Sequence, residues 1–186
     1  MPPTSKQQAV KIAGEKTRAY MEDLNSCAYC TMRALQDTFD LQDETLLKAS
    51  GAITGGIGGM ADTCGSMISA VMLIGSVCGC GRNEGDKTID KLHYSIDKAR
   101  EFYTWFKEQK GTVKCNDILT ANAGGVHYDF TDRDQLIAAM EAGVLEKCKN
   151  LAAENAAKAA GMLWEEMKKG KKIEDKGGRM RGNSKF

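Results

Sequence analysis

Proline occurs only at positions 2 and 3, and this limits the fold more than any other feature. Proline removes a backbone donor and its ring clashes with the preceding helical turn. Beyond residue 3 the chain therefore meets no obligatory helix break. The apolar residues use that freedom. Ala9, Ile12, Ala13, Tyr20 and Leu24 recur at helical spacing. Asn25 or Ser26 can cap a continuation through Cys27, Cys30, Ala34 and Leu35 to Phe39. Asp43 can cap a short helix ended by Gly51. Asp62 or Thr63 can cap the apolar run from Cys64 to Val77. Asp86 opens the clearest pattern, with Ile89, Leu92, Ile96, Ala99, Tyr103 and Phe106 on one side. Cys115 begins a short turn, and Thr131-Asp-Arg-Asp134 resembles a capping box for a helix ending at Gly143. A last helix runs from Val144 to about Lys169. No alternating run demands a sheet. The expected fold is all-α, a bundle of about six or seven helices with a glycine-rich loop and cysteines near helix N-termini.

The expected organisation is an N-terminal helix over 1–24, one cysteine-containing domain over 25–167 and a basic tail over 168–186. The tail holds eight Lys or Arg against two acidic residues, so it carries +6 of a net +1 and leaves the body at −5. Such a segment is expected to be disordered. With so even an overall balance, nucleic acid is not an expected partner. The most apolar run, Met67 to Cys78, is twelve residues long, short of the ~20 a membrane span needs. It reads as a buried core helix. The N-terminus is polar and has no apolar signal core, so a cytoplasmic, reducing location is expected.

Seven cysteines then need a reason: Cys27, Cys30, Cys64, Cys78, Cys80, Cys115 and Cys148. Where thiols stay reduced, cysteine richness points to metal binding or redox chemistry before disulfide stapling. Cys64, Cys115 and Cys148 fall near expected helix starts. There, orphan N–H groups and the positive end of the helix dipole stabilise a thiolate, the form that binds metal. If those starts converge, they make a pocket for an anionic iron–sulfur cluster. Cys27-Ala-Tyr-Cys30 is a CxxC whose cysteines share a helix face, and Cys78-Gly-Cys80 is a CxC in a loop. Together they form a rival set of four sulfurs. Neither is followed by histidine at zinc-finger spacing, and the absence of CxxCH excludes covalently attached c-type haem. The run Gly51-Ala-Ile-Thr-Gly-Gly-Ile-Gly-Gly59 holds five glycines in nine residues. It lacks a Walker ending. Gly58, Gly59 and Gly65 are therefore expected to bring backbone N–H groups against cluster sulfides. His93 and His127 read as structural or solvated. Trp105, Tyr103 and Phe106 read as core or dimer packing.

These residues resemble the C_GCAxxG_C_C family of redox-active proteins. Tyr29-Cys30 before an apolar helix is similar to its first cysteine. Ala49-Ser50-Gly51, the glycine run and Thr63-Cys64-Gly65-Ser66-Met67-Ile68-Ser69-Ala70 resemble its central motif. Val113-Lys114-Cys115-Asn116-Asp117-Ile118-Leu119 resembles the third segment, and Cys148 with its alanine-rich helix the fourth. Cys27, Cys78 and Cys80 look additional to the pattern. The resemblance spans roughly residues 25 to 165. It implies a helical domain from an anaerobe with a redox role and a bound iron–sulfur cluster.

The expected function is electron transfer, with Cys30, Cys64, Cys115 and Cys148 as ligands and Cys27, Cys78 and Cys80 in reserve. A 4Fe–4S cluster ranks ahead of 2Fe–2S. The expected partner is a redox protein or a larger anaerobic enzyme, with a homodimer as an open alternative and no membrane. No Ser/His/Asp set or catalytic carboxylate pair is evident, so an electron carrier or accessory protein is expected ahead of a stand-alone enzyme. The competing readings are thiol–disulfide exchange at Cys27/Cys30 or Cys78/Cys80, and a structural zinc module.

Overall fold

The computed structural model of the protein describes residues 2–82 and 84–169. Among the described residues eight α-helices follow one another: α1 (Lys6–Leu24), α2 (Cys27–Phe39), α3 (Glu44–Gly51), α4 (Gly65–Cys78), α5 (Thr88–Lys110), α6 (Cys115–Asn122), α7 (Arg133–Glu141) and α8 (Val144–Lys168). A 3₁₀ turn, Gly85–Lys87, leads into α5. The fold is all-α, and none of the described helices is long and apolar enough to cross a membrane. Most of the tail, residues 170–186, lies outside the described residues.

Local chemistry accounts for most helix ends. The Ser5 hydroxyl accepts from the Gln8 N–H at 3.1 Å. Asp43 accepts from Leu46 N–H at 2.9 Å. For α7 the cap is Asp132, not Thr131. Its carboxylate accepts from the N–H groups of Asp134 and Gln135 at 2.9 and 3.1 Å. Asn25, Asp40 and Gly111 close their helices in left-handed geometry. Helix α4 departs from expectation, because its N-cap is Cys64 rather than Asp62 or Thr63. Thr63 is used elsewhere, in an isolated antiparallel bridge to Lys114. The expected short turn after Cys115 is a full helix, α6.

Helices α1 and α8 pack along a seam of small residues. Ala9, Ala13 and Thr17 on α1 and Ala152, Ala156, Ala159 and Ala160 on α8 are all fully buried. A Cβ added at Gly14 would lie 3.5 Å from the Ala153 carbonyl oxygen, so the two backbones approach closely. The main core lies between α2, α4, α5 and α8, where Met32, Leu35, Leu73, Ile74, Phe102, Phe106 and Leu163 are buried. Burying each such side chain contributes about 1.5–3 kcal/mol. A smaller core, Leu119, Ala139 and Val144, joins α6, α7 and α8 and includes Cys115 and Cys148 at its edge.

Candidate functional site

The centre is assembled from four helices. Cys27 is the first residue of α2, Cys64 caps α4, Cys115 is the first residue of α6, and Cys148 is on the second turn of α8. Each is drawn in by an identifiable contact. Residues 61–64 run beside 113–116. The Cys64 N–H donates to the Val113 carbonyl at 2.9 Å, the Asn116 N–H to the Ala61 carbonyl at 2.8 Å, and the Cys115 N–H to the Asp62 carbonyl. That pairing lays Cys64 beside Cys115. The Ser26 hydroxyl bonds the Thr54 hydroxyl at 2.7 Å, tying the start of α2 to the glycine loop. Cys27 comes so near α4 that a Cβ at Gly65 would lie 3.3 Å from its sulfur and 2.6 Å from the Ile53 carbonyl oxygen. Asn122, at the end of α6, donates from Nδ2 to Cys148 Sγ at 3.5 Å.

The four thiols form one electrostatic unit. In all six pairings among Cys27, Cys64, Cys115 and Cys148, a charge on one sulfur opposes ionisation of the other. Burial dominates and pushes every one of the four upward, Cys27 to about 11 and Cys148 to about 12. Backbone N–H groups work the other way. Gly55, Ala28 and Ser66 hydrogen-bond Cys27, and Met67 and Ser66 hydrogen-bond Cys64. Cys64 is also bonded by the Ser66 hydroxyl, at 3.3 Å. Asn155 Nδ2 donates to that hydroxyl oxygen at 2.8 Å, which holds Ser66 in place beside the sulfur. Asn155 is fully buried and its Oδ1 has no partner.

The glycine loop over the centre is wound left-handed. Gly55, Gly56, Ile57, Gly58 and Gly59 all have positive φ, between 61° and 84°. At Gly56 a Cβ would come within 2.8 Å of Cys115 Cβ, so only glycine admits the sulfur-bearing helix there. Of the glycines singled out in the sequence, Gly65 touches the centre. Gly58 faces open space, and Gly59 faces the Phe130 carbonyl.

Cys30 lies apart. It is fully buried with Met21 and Ala152, and it senses Arg33 and Asp23 but none of the other cysteines. Cys78 ends α4, and Cys80 follows in the loop. At 1.5 Å per residue they stand about 20 Å from Cys64. The set Cys27, Cys30, Cys78 and Cys80 is therefore not gathered. Asn122 and Asn155 carry no motif of their own, and Ser66 sits inside the Thr63–Ala70 segment without being marked out by residue type. The i to i+7 spacing of Asn155 from Cys148 on α8 was the one available signal.

A family model for proteins provisionally described as redox-active, C_GCAxxG_C_C, matches residues 25–162, most of the chain. The chain belongs to this family. No curated protein and no solved structure matches it. The C_GCAxxG_C_C match begins just before Cys27 and ends beyond Cys148, so it encloses the whole four-thiol centre. Redox activity is thus the family's description, and the match spans all seven cysteines, the four of the centre among them. Among the described residues, no three His, Cys, Asp or Glu side chains stand close enough to wrap one metal ion.

Proposed function

We propose that Cys27, Cys64, Cys115 and Cys148 hold an iron–sulfur cluster and that the protein carries electrons with it. The observation that supports this best is the convergence of four helices on one place: the pairing of residues 61–64 with 113–116 lays Cys64 beside Cys115, and Gly65 lets Cys27 come against α4. A 4Fe–4S cluster takes one thiolate at each iron, so one sulfur from each of four helices makes a complete set. When bound, the cluster supplies one-electron transfer. The chain's residues do the rest. Cys64 is buried and Cys27, Cys115 and Cys148 are partly buried, which limits water at the sulfurs, and the N–H groups near Cys27 and Cys64 stabilise their negative charge.

Burial raises the thiols of Cys27 and Cys30, which speaks against dithiol exchange at that pair, because the attacking species is the thiolate. Electron delivery requires an approach route, and the loop supplies one. Ile57 and Met60 are 51% and 70% exposed above the centre, an apolar contact point for a redox partner or a larger anaerobic enzyme. The test is anaerobic purification from iron-replete cells, followed by iron and sulfide analysis and electron paramagnetic resonance after dithionite reduction. About four irons per chain and a reduced-cluster signal are expected. Iron-free protein that also fails to take up iron and sulfide would overturn the reading, and one zinc per chain would replace it with a structural role.

A further inference from the structure

A polar layer between α2, α4 and α8 has no part in the thiol centre as described. Thr31 on α2, Ser69 on α4 and Asn155 on α8 are fully buried. Thr31 Oγ1, Ser69 Oγ and Asn155 Oδ1 have no hydrogen-bond partner among the described residues. Other buried hydroxyls behave differently. Those of Thr17, Thr38 and Ser50 donate back to a carbonyl of their own helix, at 2.8, 2.6 and 2.6 Å. Thr31 and Ser69 make no such bond. A buried polar atom left unmet is destabilising, so three on neighbouring helices call for a common partner.

The helix contacts set these three residues at one level. All three helices run away from the thiols, past Cys27, Cys64 and Cys148. Cys27 lies against Gly65, Cys30 packs with Ala152, and Asn155 bonds Ser66. One turn further on, Thr31 follows Cys27 by four residues, Ser69 follows Ser66 by three, and Asn155 follows Ala152 by three. We infer that Thr31, Ser69 and Asn155 together bind one water molecule inside this three-helix interface. The water donates to Asn155 Oδ1 and accepts from both hydroxyls, three bonds in all, which is the usual number for a buried water. A cation suits the place poorly, because three neutral oxygens do not offset its dehydration. Holding Oδ1 also fixes which way the Asn155 amide faces, with Nδ2 toward the Ser66 hydroxyl that lies beside Cys64 Sγ. The site uses none of the four thiols, so it does not depend on the cluster.

Urea midpoints of the full chain, compared at matched iron content, test this by their sign. Removing a hydroxyl that has no partner raises stability, whereas removing one bonded to a water lowers it. Thr31→Val and Ser69→Ala should each lower the midpoint. The double variant should lower it by less than the two shifts added together, because one water is lost only once. In a Thr31→Ser background, which keeps the hydroxyl, Ser69→Ala should keep its full effect. Nuclear magnetic resonance of the unsubstituted protein gives an independent reading, with cross-relaxation expected between a long-lived water and the Asn155 side-chain amide. A midpoint raised by either substitution, strictly additive shifts, or an Asn155 amide with no water contact overturns the proposal.

Discussion

At the scale of single residues, the proposed reading makes Cys27 a ligand and the buried Cys30 a space-filler. Cys27→Ala is expected to abolish iron binding, whereas Cys30→Ala should keep it and cost stability through a small cavity. Iron content and melting temperature, measured together, check this. Loss of iron in Cys30→Ala with full iron in Cys27→Ala would reverse the assignment. Ser66 offers a subtler test. Ser66→Ala removes the donor to Cys64 Sγ and leaves Asn155 Nδ2 without its acceptor. A loss of ten- to a hundredfold in iron affinity, or a lowered potential, is expected. The sequence brings out Cys64, Cys115 and Cys148 through their places near helix starts. It cannot separate Cys27 from Cys30, because positions three apart share a helical face. What separates them is tertiary: the Ser26–Thr54 hydrogen bond and the close approach of Gly65.

At the scale of elements, legibility follows the caps. Helices opened by Ser5, Asp43 and Asp132 are local events with local signals. Helices α4 and α6 have no side-chain cap hydrogen bond. Their starts are fixed by the pairing of residues 61–64 with 113–116, across about fifty positions of sequence, and no local pattern reports that. The loop between α3 and α4 holds the other element-level expectation. Ile57 has φ 67° although its side chain is β-branched and half exposed. A left-handed L-residue costs about 1–2 kcal/mol. Ile57→Gly should therefore raise the urea midpoint by an amount equivalent to about 1 kcal/mol, less the entropy a glycine loses on folding. In the α1–α8 seam the reverse holds. Gly14→Leu drives a side chain against the Ala153 carbonyl and Ala157 Cβ and should cost about 1–3 kcal/mol by the same measurement.

At the scale of the molecule, the raised thiols set a pH dependence. In the metal-free protein, the folded state keeps protons on Cys27 and Cys148 up to about 11 and about 12. In the unfolded chain those thiols ionise near the ordinary value of about 8.5. Their contribution to stability is therefore full below about 8.5 and is lost as pH climbs through the folded values. Denaturant midpoints of metal-free protein should fall steadily across that alkaline window. Loading with metal should release protons and flatten the decline, because bound thiolates no longer titrate there.

The centre draws one thiol from each of α2, α4, α6 and α8, beginning at residue 27 and closing at residue 148. Until residue 148 has been made and α8 has packed against the rest, a growing chain offers only part of this set of sulfurs. On the proposed reading, occupancy of the centre becomes a record that the topology from α2 to α8 has closed.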